Sequence, residues 1–347
     1  MKISLKICCV LMIQMMSIHL LVAQSPTYFT KTYAAGEAMS MIAVHDSVHG
    51  TCYVIAGISG GFDGNGFLMK VDAYGDTLWT RSYGSSGYEI INAVKQTADH
   101  GYILVGEGAD HVSGVYPALV IKTDANGDLE WSHSYQGTGS GPSYMNGIQI
   151  FDVEVLDDGY LLAGTSRAFQ SSPYFTMWVA RISLSGQFIW SRTYFNSGVG
   201  RSIRKTPDGG FVIAQDHLQG DMALTKIDSV GNTLWIKTYG GPDQDIANTM
   251  IPTSTGYLMV GRTFSSGFPG SYAMYVVKTD FNGDYQWSRK INGQVAPIAY
   301  DAVEDADGGF VIAGAWSGRF GFLKLDSVGN LLWAKCREYD LYPELFI

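Results

Sequence analysis

The sequence predicts an all-β fold, a six-bladed β-propeller of four-stranded antiparallel blades. Three observations carry this: one motif recurs six times in register, short apolar runs lie between glycine-containing turns, and charged residues are too scarce for long amphipathic helices. The 347 residues are 46% hydrophobic, 13% aromatic and 16% charged, a composition that demands a large core and excludes a disordered chain. Forty-two glycines against ten prolines, with no Gly-X-Y period, exclude collagen and indicate many tight turns.

Lys2 and Lys6 precede an apolar run from Ile7 to Val22, and Ala23 is followed by Gln24, Ser25 and Pro26. This is the pattern of a secretory signal peptide, residues 1–23, cleaved after Ala23. The remainder, 24–347, reads as one propeller domain that is secreted or held at the cell surface, and is expected to be a monomer. No later stretch is long and apolar enough for membrane insertion. The net charge of −9 argues against nucleic acid, whose phosphates need clustered Lys and Arg. Cys8 and Cys9 leave with the leader; Cys52 and Cys336 remain, as two small buried hydrophobes or as one bridge between the chain ends.

The repeat is sharpest as basic-x-Asp-x-x-Gly-x-x-x-Trp. It occurs at Lys70 to Trp79, Lys122 to Trp131, Arg181 to Trp190, Lys226 to Trp235, Lys278 to Trp287 and Lys324 to Trp333. Successive Trp positions differ by 52, 59, 45, 52 and 46 residues, and only Ser183 departs from the acid. Upstream of each copy stands an aromatic followed by apolar residues, as in Tyr102 to Gly106, an uninterrupted run that reads as a strand buried on both faces. Each unit therefore holds strands A to D, with tight A–B and C–D turns at one end and variable B–C and D–A links at the other. Sheets this small cannot bury two faces alone, so neighbouring blades cover one another.

The expected blades span about 36–84, 86–136, 147–195, 198–240, 244–292 and 297–337, with 26–35 as an N-terminal closing strand. Trp79, Trp131, Trp190, Trp235, Trp287 and Trp333 are expected to be structural, packed between blades, with the basic residue two positions on reaching past them to water. Small polar residues in strand A (Ser40, Asn92, Asp152, Ser202, Asn248, Asp301) are expected to ring the axis and bond neighbouring blades or channel water. Phe29 to Tyr33 copies strand D with Phe29 in the Trp place, making seven D-like strands for six A–B–C sets. Either this strand joins the last blade and seals the ring, or it is the remnant of a seventh blade. A seven-bladed or incompletely closed ring is thus the alternative; the 14 residues after Trp333 favour six.

At these residues the chain resembles exported bacterial β-propeller repeat proteins of the SBBP type: Trp235, Lys237, Tyr239 and Gly240 match their Trp-x-Lys-x-Tyr-Gly strand. The layout is also similar to kelch blades. The resemblance covers about 29–335 and implies a propeller fold and export, in a family whose members mostly lack known activity. Quinoprotein and sialidase turn motifs fail on spacing, because Gly75 lies three residues after Asp72 and Trp79 seven after it. Gly57 to Gly61 matches Gly-x-Ser-x-Gly but opens a loop, where a nucleophile elbow needs a helix. Asp124, Asn126 and Asp128 alternate like the start of a calcium loop but lack its terminal Glu. His45, His49 and His100 lack a fixed metal-ligand spacing. No cofactor and no metal are expected.

B–C links of 16, 17 and 17 residues on blades 2, 3 and 5 are expected to flank a groove over blade 4, where the link is 11. Candidate ligand-binding residues are Tyr144, Arg167, Phe169, Tyr174 and Phe175 on one side, Phe264, Phe268 and Tyr272 on the other, and Asp216 and His217 on the floor. Rigid aromatics among Ser and Gly suit glycan or protein contact, so the expected function is a non-catalytic exported recognition scaffold. The alternative is a secreted polysaccharide hydrolase or lyase using Asp216, and the bland reading is aromatics folded back on their own blades.

Overall fold

The computed structural model describes residues 36–336 apart from 61–63, 85–86, 110–116, 137–146, 167–175, 195–196, 218–219, 266–271, 293–296 and 317–318. All regular structure among these residues is β-strand. Blade 1 comprises β1 (Gly36–Asp46), β2 (Gly50–Ser59), β3 (Gly66–Asp72) and β4 (Thr77–Tyr83); blade 2, β5 (Tyr88–Gln96), β6 (Tyr102–Ala109), β7 (Ala118–Thr123) and β8 (Leu129–Tyr135). Blade 3 comprises β9 (Ile148–Leu156), β10 (Gly159–Ser166), β11 (Thr176–Ser183) and β12 (Phe188–Tyr194); blade 4, β13 (Ser197–Lys205), β14 (Phe211–His217), β15 (Met222–Ile227) and β16 (Thr233–Tyr239). Blade 5 comprises β17 (Asp245–Thr253), β18 (Gly256–Thr263), β19 (Ala273–Thr279) and β20 (Tyr285–Ile291); blade 6, β21 (Ile298–Glu304), β22 (Phe310–Trp316), β23 (Arg319–Leu325) and β24 (Leu331–Cys336). Each sheet pairs its strands antiparallel in chain order, giving six blades of a β-propeller. No helix among the described residues is long and apolar enough to cross a membrane.

Position in the blade explains the composition of each strand. Second strands lie between neighbours on every side, so Tyr160, Leu161, Leu162 and Ala163 are all buried. Outer strands alternate between exposed and half-buried residues, as β8 does. The motif acid is consumed by the C–D turn: Asp124 Oδ1 accepts the Asn126 and Asp128 amides, each at 2.8 Å, and Gly127 takes φ +77°. Ser183 does the same with its hydroxyl, accepting the Gln187 amide at 3.1 Å. The motif base pairs directly opposite Trp and reaches the acid of its own A–B turn: Lys70 to Asp46 at 2.5 Å, Lys122 to Asp99 at 2.8 Å, Lys226 to Asp208 at 2.6 Å. Blade 5 has Ser254 and Thr255 in that turn, so among the described residues buried Lys278 is held by the Thr279 carbonyl (2.8 Å) and Gln286 (3.3 Å), and burial pulls its pKa down.

Five of the six outer-strand Trp residues pack on the next blade: Trp79 lies 6.1 Å from Tyr102, Trp131 6.3 Å from Tyr160 and Trp287 5.9 Å from Phe310, while Trp190 and Trp235 close on the turn glycines Gly231 and Gly283. Trp333 departs from the expectation and stays exposed, because blade 6 has no comparable neighbour in contact with it among the described residues. In blades 1 to 5 the residue two positions on does not run out to water, whereas Lys335 of blade 6 is exposed. Arg81 Nε donates to Asp128 (2.8 Å), Arg192 Nε to the Val230 carbonyl (2.9 Å), Lys237 to Asp284 (2.5 Å) and Arg289 Nε to the Gly329 carbonyl (2.8 Å), because the next C–D turn presents oxygens within reach. Two residues further, Tyr83, Tyr135, Tyr194 and Tyr239 donate their hydroxyls to the carbonyls of Gly127, Gly186, Gly231 and Gly283 at 2.5–2.8 Å.

First strands line the axis, and a β-bulge interrupts each of them. The polar ring bonds between blades: Val94 N to Ser40 Oγ, Asn92 to the Ile150 carbonyl, Ser202 to Asp152 and to the Met250 carbonyl, Asn248 to the Ala299 carbonyl. Asp152, buried, also accepts the Ile203 amide and Arg204, and its pKa lies below the ordinary range: burial pushes it up, but Arg204 and Lys95 prevail. Nearby Glu154 and Asp301 are pushed up by burial. Cys52 is a free, fully buried thiol in the core between blades 1 and 2; the side chain of Cys336 lies outside the described residues.

One seam differs. From β1 to β21 each first strand touches the next, but among the described residues β21 and β1 share no comparable contact. Phe322 (42% exposed) occupies the position of Leu68, Val120, Val179, Leu224 and Val276, all fully buried, and Phe320 is 54% exposed. On blade 1, Met39 and Met41 are exposed, and Tyr53 is half-buried where its counterparts Tyr102, Tyr160, Phe211, Tyr257 and Phe310 are buried.

Candidate functional site

The best-formed polar cluster outside the repeat network lies at the long-loop end of blades 3 to 5. Two fold features position it. The bulge in β13 aims Arg201 over the Phe151 ring at 4.8 Å, and the end of β14 carries Asp216, two residues past the apolar run. Arg201 Nε and one terminal nitrogen donate to Asp216 Oδ2 at 3.1 and 3.0 Å, while Asp216 Oδ1 accepts the Ala247 amide of blade 5 at 3.0 Å. Burial pushes the Asp216 carboxyl up against the pull of Arg201 and of a second cation, Arg262.

Arg262 stands at the end of β18, the position equivalent to Asp216 one blade on. Its guanidinium carbon lies 5.8 Å from the Phe264 ring and 5.5 Å from the Tyr272 ring, which themselves approach to 5.5 Å. Its Nε is buried without a hydrogen-bond partner among the described residues. Phe264 is fixed by its amide, which donates to the Gln244 carbonyl at 2.8 Å. The arrangement presents a cation clamped by two half-buried rings, beside a neutralised Arg–Asp pair. It can recognise hydrogen-bond acceptors and flat apolar faces.

Of the residues picked from sequence, the structure brings Asp216, Phe264 and Tyr272 together around Arg262. His217 closes the short B–C link of blade 4: its amide donates to the Asp221 carbonyl at 2.7 Å and its carbonyl accepts the Gly220 amide at 2.8 Å. Tyr144, Arg167, Phe169, Tyr174, Phe175 and Phe268 lie outside the described residues. Phe264 and Tyr272 fold over an arginine of their own blade, as the bland reading of loop aromatics anticipates. Sequence reasoning missed Arg201, Phe151 and Arg262. A signal existed for Arg262: the residue after the B-strand glycine position is Ile58, Thr165 or Ala315 in three blades but Glu107, Asp216 and Arg262 in the others. Glu107 accepts Gln149 across its own seam at 2.5 Å.

No protein-family model and no curated protein matches the chain. Solved structures do match it. A protein from Lactobacillus plantarum aligns with a TM-score of 0.56 and 18% identity, over 87% of this chain and 86% of that one. A candidate 6-phosphogluconolactonase from Bacteroides uniformis gives 0.56 at 11% identity, over 91% and 88%. A Bacteroides caccae protein of unknown function gives 0.50 at 12%, over 81% and 93%. At such identities the likeness shows the fold alone.

A depression of about 560 Å³ lies on the outer rim between Lys237 to Gly240 of blade 4 and Tyr275, Asp284, Tyr285 and Ser288 of blade 5. Its lining includes the Lys237–Asp284 and Tyr239–Gly283 pairs that hold the seam, so it reads as a by-product of inter-blade packing. No group of three or more His, Cys, Asp or Glu among the described residues could hold a metal ion.

Proposed function

We propose that this protein is an exported, non-catalytic recognition scaffold that binds a glycan through the long-loop face of blades 4 and 5. The observation that carries the reading is Arg262, whose buried Nε has no hydrogen-bond partner among the described residues and whose guanidinium is pre-oriented by Phe264 and Tyr272 beside the Arg201–Asp216 pair. A clamped guanidinium loses little freedom on binding, and neighbouring ring area suits the apolar face of a sugar. The signal-peptide pattern of residues 1–23 and the SBBP-like repeat support export.

Asp216 supports the hydrolase alternative less well. Both of its oxygens serve the fold, Oδ2 accepting from Arg201 and Oδ1 from the Ala247 amide, so the carboxylate is committed to holding neighbouring strands together. The test is a glycan panel screened for binding and for turnover, with wild type and Arg262→Gln side by side. Recognition at this face predicts binding without product formation, and a loss of about tenfold or more in Arg262→Gln at an unchanged melting temperature, as for truncating an interface anchor. Turnover that disappears in Asp216→Asn, or binding indifferent to Arg262→Gln, overturns the reading.

A further inference from the structure

Arginine side chains in this fold have acceptors. Arg81 donates to Asp128, Arg181 to Asp158, Arg201 to Asp216 and Arg204 to Asp152, while Arg192 and Arg289 donate to the Val230 and Gly329 carbonyls. Arg262 departs from them: its Nε is buried and has no hydrogen-bond partner among the described residues. The Phe264 and Tyr272 rings, 5.8 and 5.5 Å from its guanidinium carbon, fix the group but offer its N–H donors no carboxylate or carbonyl. A cation drawn partly out of water without a counter-charge is costly, and an incoming anion offsets that cost.

The strand pattern shows what surrounds it. In β18, Leu258 and Val260 lie in the core shared with Phe310 and Ile312 of blade 6, and Arg262 follows at the next position on that face. Its cross-strand partner on β19 is Met274, and a Cβ on Gly314 of blade 6 would stand 2.9 Å from Met274 Cε. Trp316, two residues past Gly314 on the same face of β22, packs in the same core, and its Nε1 is also buried with no partner among the described residues. The mouth of the seam between blades 5 and 6 therefore holds N–H groups that lack acceptors. Asp216 on blade 4 is near enough to feel the Arg262 charge but is committed to Arg201 and the Ala247 amide. Arg262 is half-buried as a whole, so the side chain is reachable although its Nε is not.

Resting on the glycan reading above, we infer that the sugar is acidic: it carries a carboxylate, as a uronate does, which the terminal nitrogens of Arg262 bind side by side. A planar guanidinium matches a carboxylate with two parallel N–H···O bonds, and Phe264 and Tyr272 offer ring area to the sugar itself. The chain has a net charge of −9, so its overall field repels such a ligand and the preference depends on this one cation.

Calorimetric titration of the exported full chain with oligomers of galacturonate, glucuronate and mannuronate, each also as its methyl ester, tests the inference. Esterification removes the charge and leaves the sugar ring. The expected result is an acid form bound at least about tenfold more tightly than its ester, as for a charge-assisted pair. In Arg262→Gln the acid and its ester should bind alike. Arg262→Lys keeps a cation without the planar fork and should bind the acid several-fold more weakly than wild type, which keeps the test decisive if the Gln variant does not fold. Oligomers bound with no preference for the acid overturn this inference while the glycan reading stands. So does an acid preference that survives Arg262→Gln, or an acid affinity unchanged in Arg262→Lys. Binding of neutral glycans with no binding of any acid form overturns the inference alone; binding of no glycan at all overturns both.

Discussion

Two glycines in left-handed turns separate the cost of a strained backbone from the cost of disturbing a blade seam. Gly283, in the C–D turn of blade 5, has φ +78°, and a Cβ there would stand 2.7 Å from Trp235 Cη2 and 2.9 Å from its Cζ3. Gly209, in the A–B turn of blade 4, has φ +81° and nothing within 4 Å of the same point. Alanine at either site carries the left-handed penalty of about 1–2 kcal/mol. Only at Gly283 is overpacking against an indole added, for about 1–3 kcal/mol more. Gly209→Ala should therefore destabilise by about 1–2 kcal/mol and Gly283→Ala by about 2–5 kcal/mol, read from guanidinium chloride unfolding midpoints at constant slope. The double-mutant cycle sharpens the test. Trp235→Ala removes the indole and is itself costly, by about 3–5 kcal/mol for a well-packed Trp. In that background Gly283→Ala should cost no more than Gly209→Ala, so the two changes at the seam are strongly non-additive. Equal losses at the two glycines, or strict additivity of Trp235→Ala with Gly283→Ala, would show that Trp235 does not bear on the next blade.

Lys278→Met should be neutral or stabilising by thermal melting, because it replaces a buried cation that has no carboxylate partner among the described residues with an apolar chain of similar length. Acid should begin to erode the fold only below the ordinary carboxylate pKa. Partial burial raises the Asp99 carboxyl, but hydrogen bonds from Lys122 and Thr97 outweigh it and hold the pKa at about 2. A depressed folded-state pKa means stabilisation present above the ordinary value of 3.8 and lost as pH falls through about 2, so unfolding followed by circular dichroism should begin below pH 4, and Asp99→Asn should flatten that limb. Cys52, fully buried and with its thiol pKa raised first of all by burial, should resist thiol reagents in the native protein and react once denaturant opens the interface between blades 1 and 2.

Much of the fold was legible because the repeat is a packing unit. A Trp, a turn Gly and a base recurring near every fifty residues can satisfy one another only when identical sheets stack, and the six blades follow from that constraint. The turn acids were legible for the same reason: Asp124 and its counterparts serve local amides a few residues away, a contact that sequence spacing alone decides. The aromatic candidates were legible only as a loop composition.

What sequence could not state is what the residues of different blades do to one another. The basic residues after each Trp looked like a solvated rim, but the next C–D turn, about fifty residues away in sequence, brings Asp128, Asp284 and the Val230 and Gly329 carbonyls to meet them. Asp216 looked like a free groove acid, but the neighbouring strands supply Arg201 and the Ala247 amide and turn it into a clasp between blades. Arg262 is one arginine among others in the sequence, and only the fold closes Phe264 and Tyr272 on it. The sequence by itself determined the unit, its turns and the number of times it is used, because those are local or strictly periodic demands. The tertiary structure decided the partners of each polar group and which faces stay uncovered, because desolvation and pairing depend on distances between segments that the linear order does not contain.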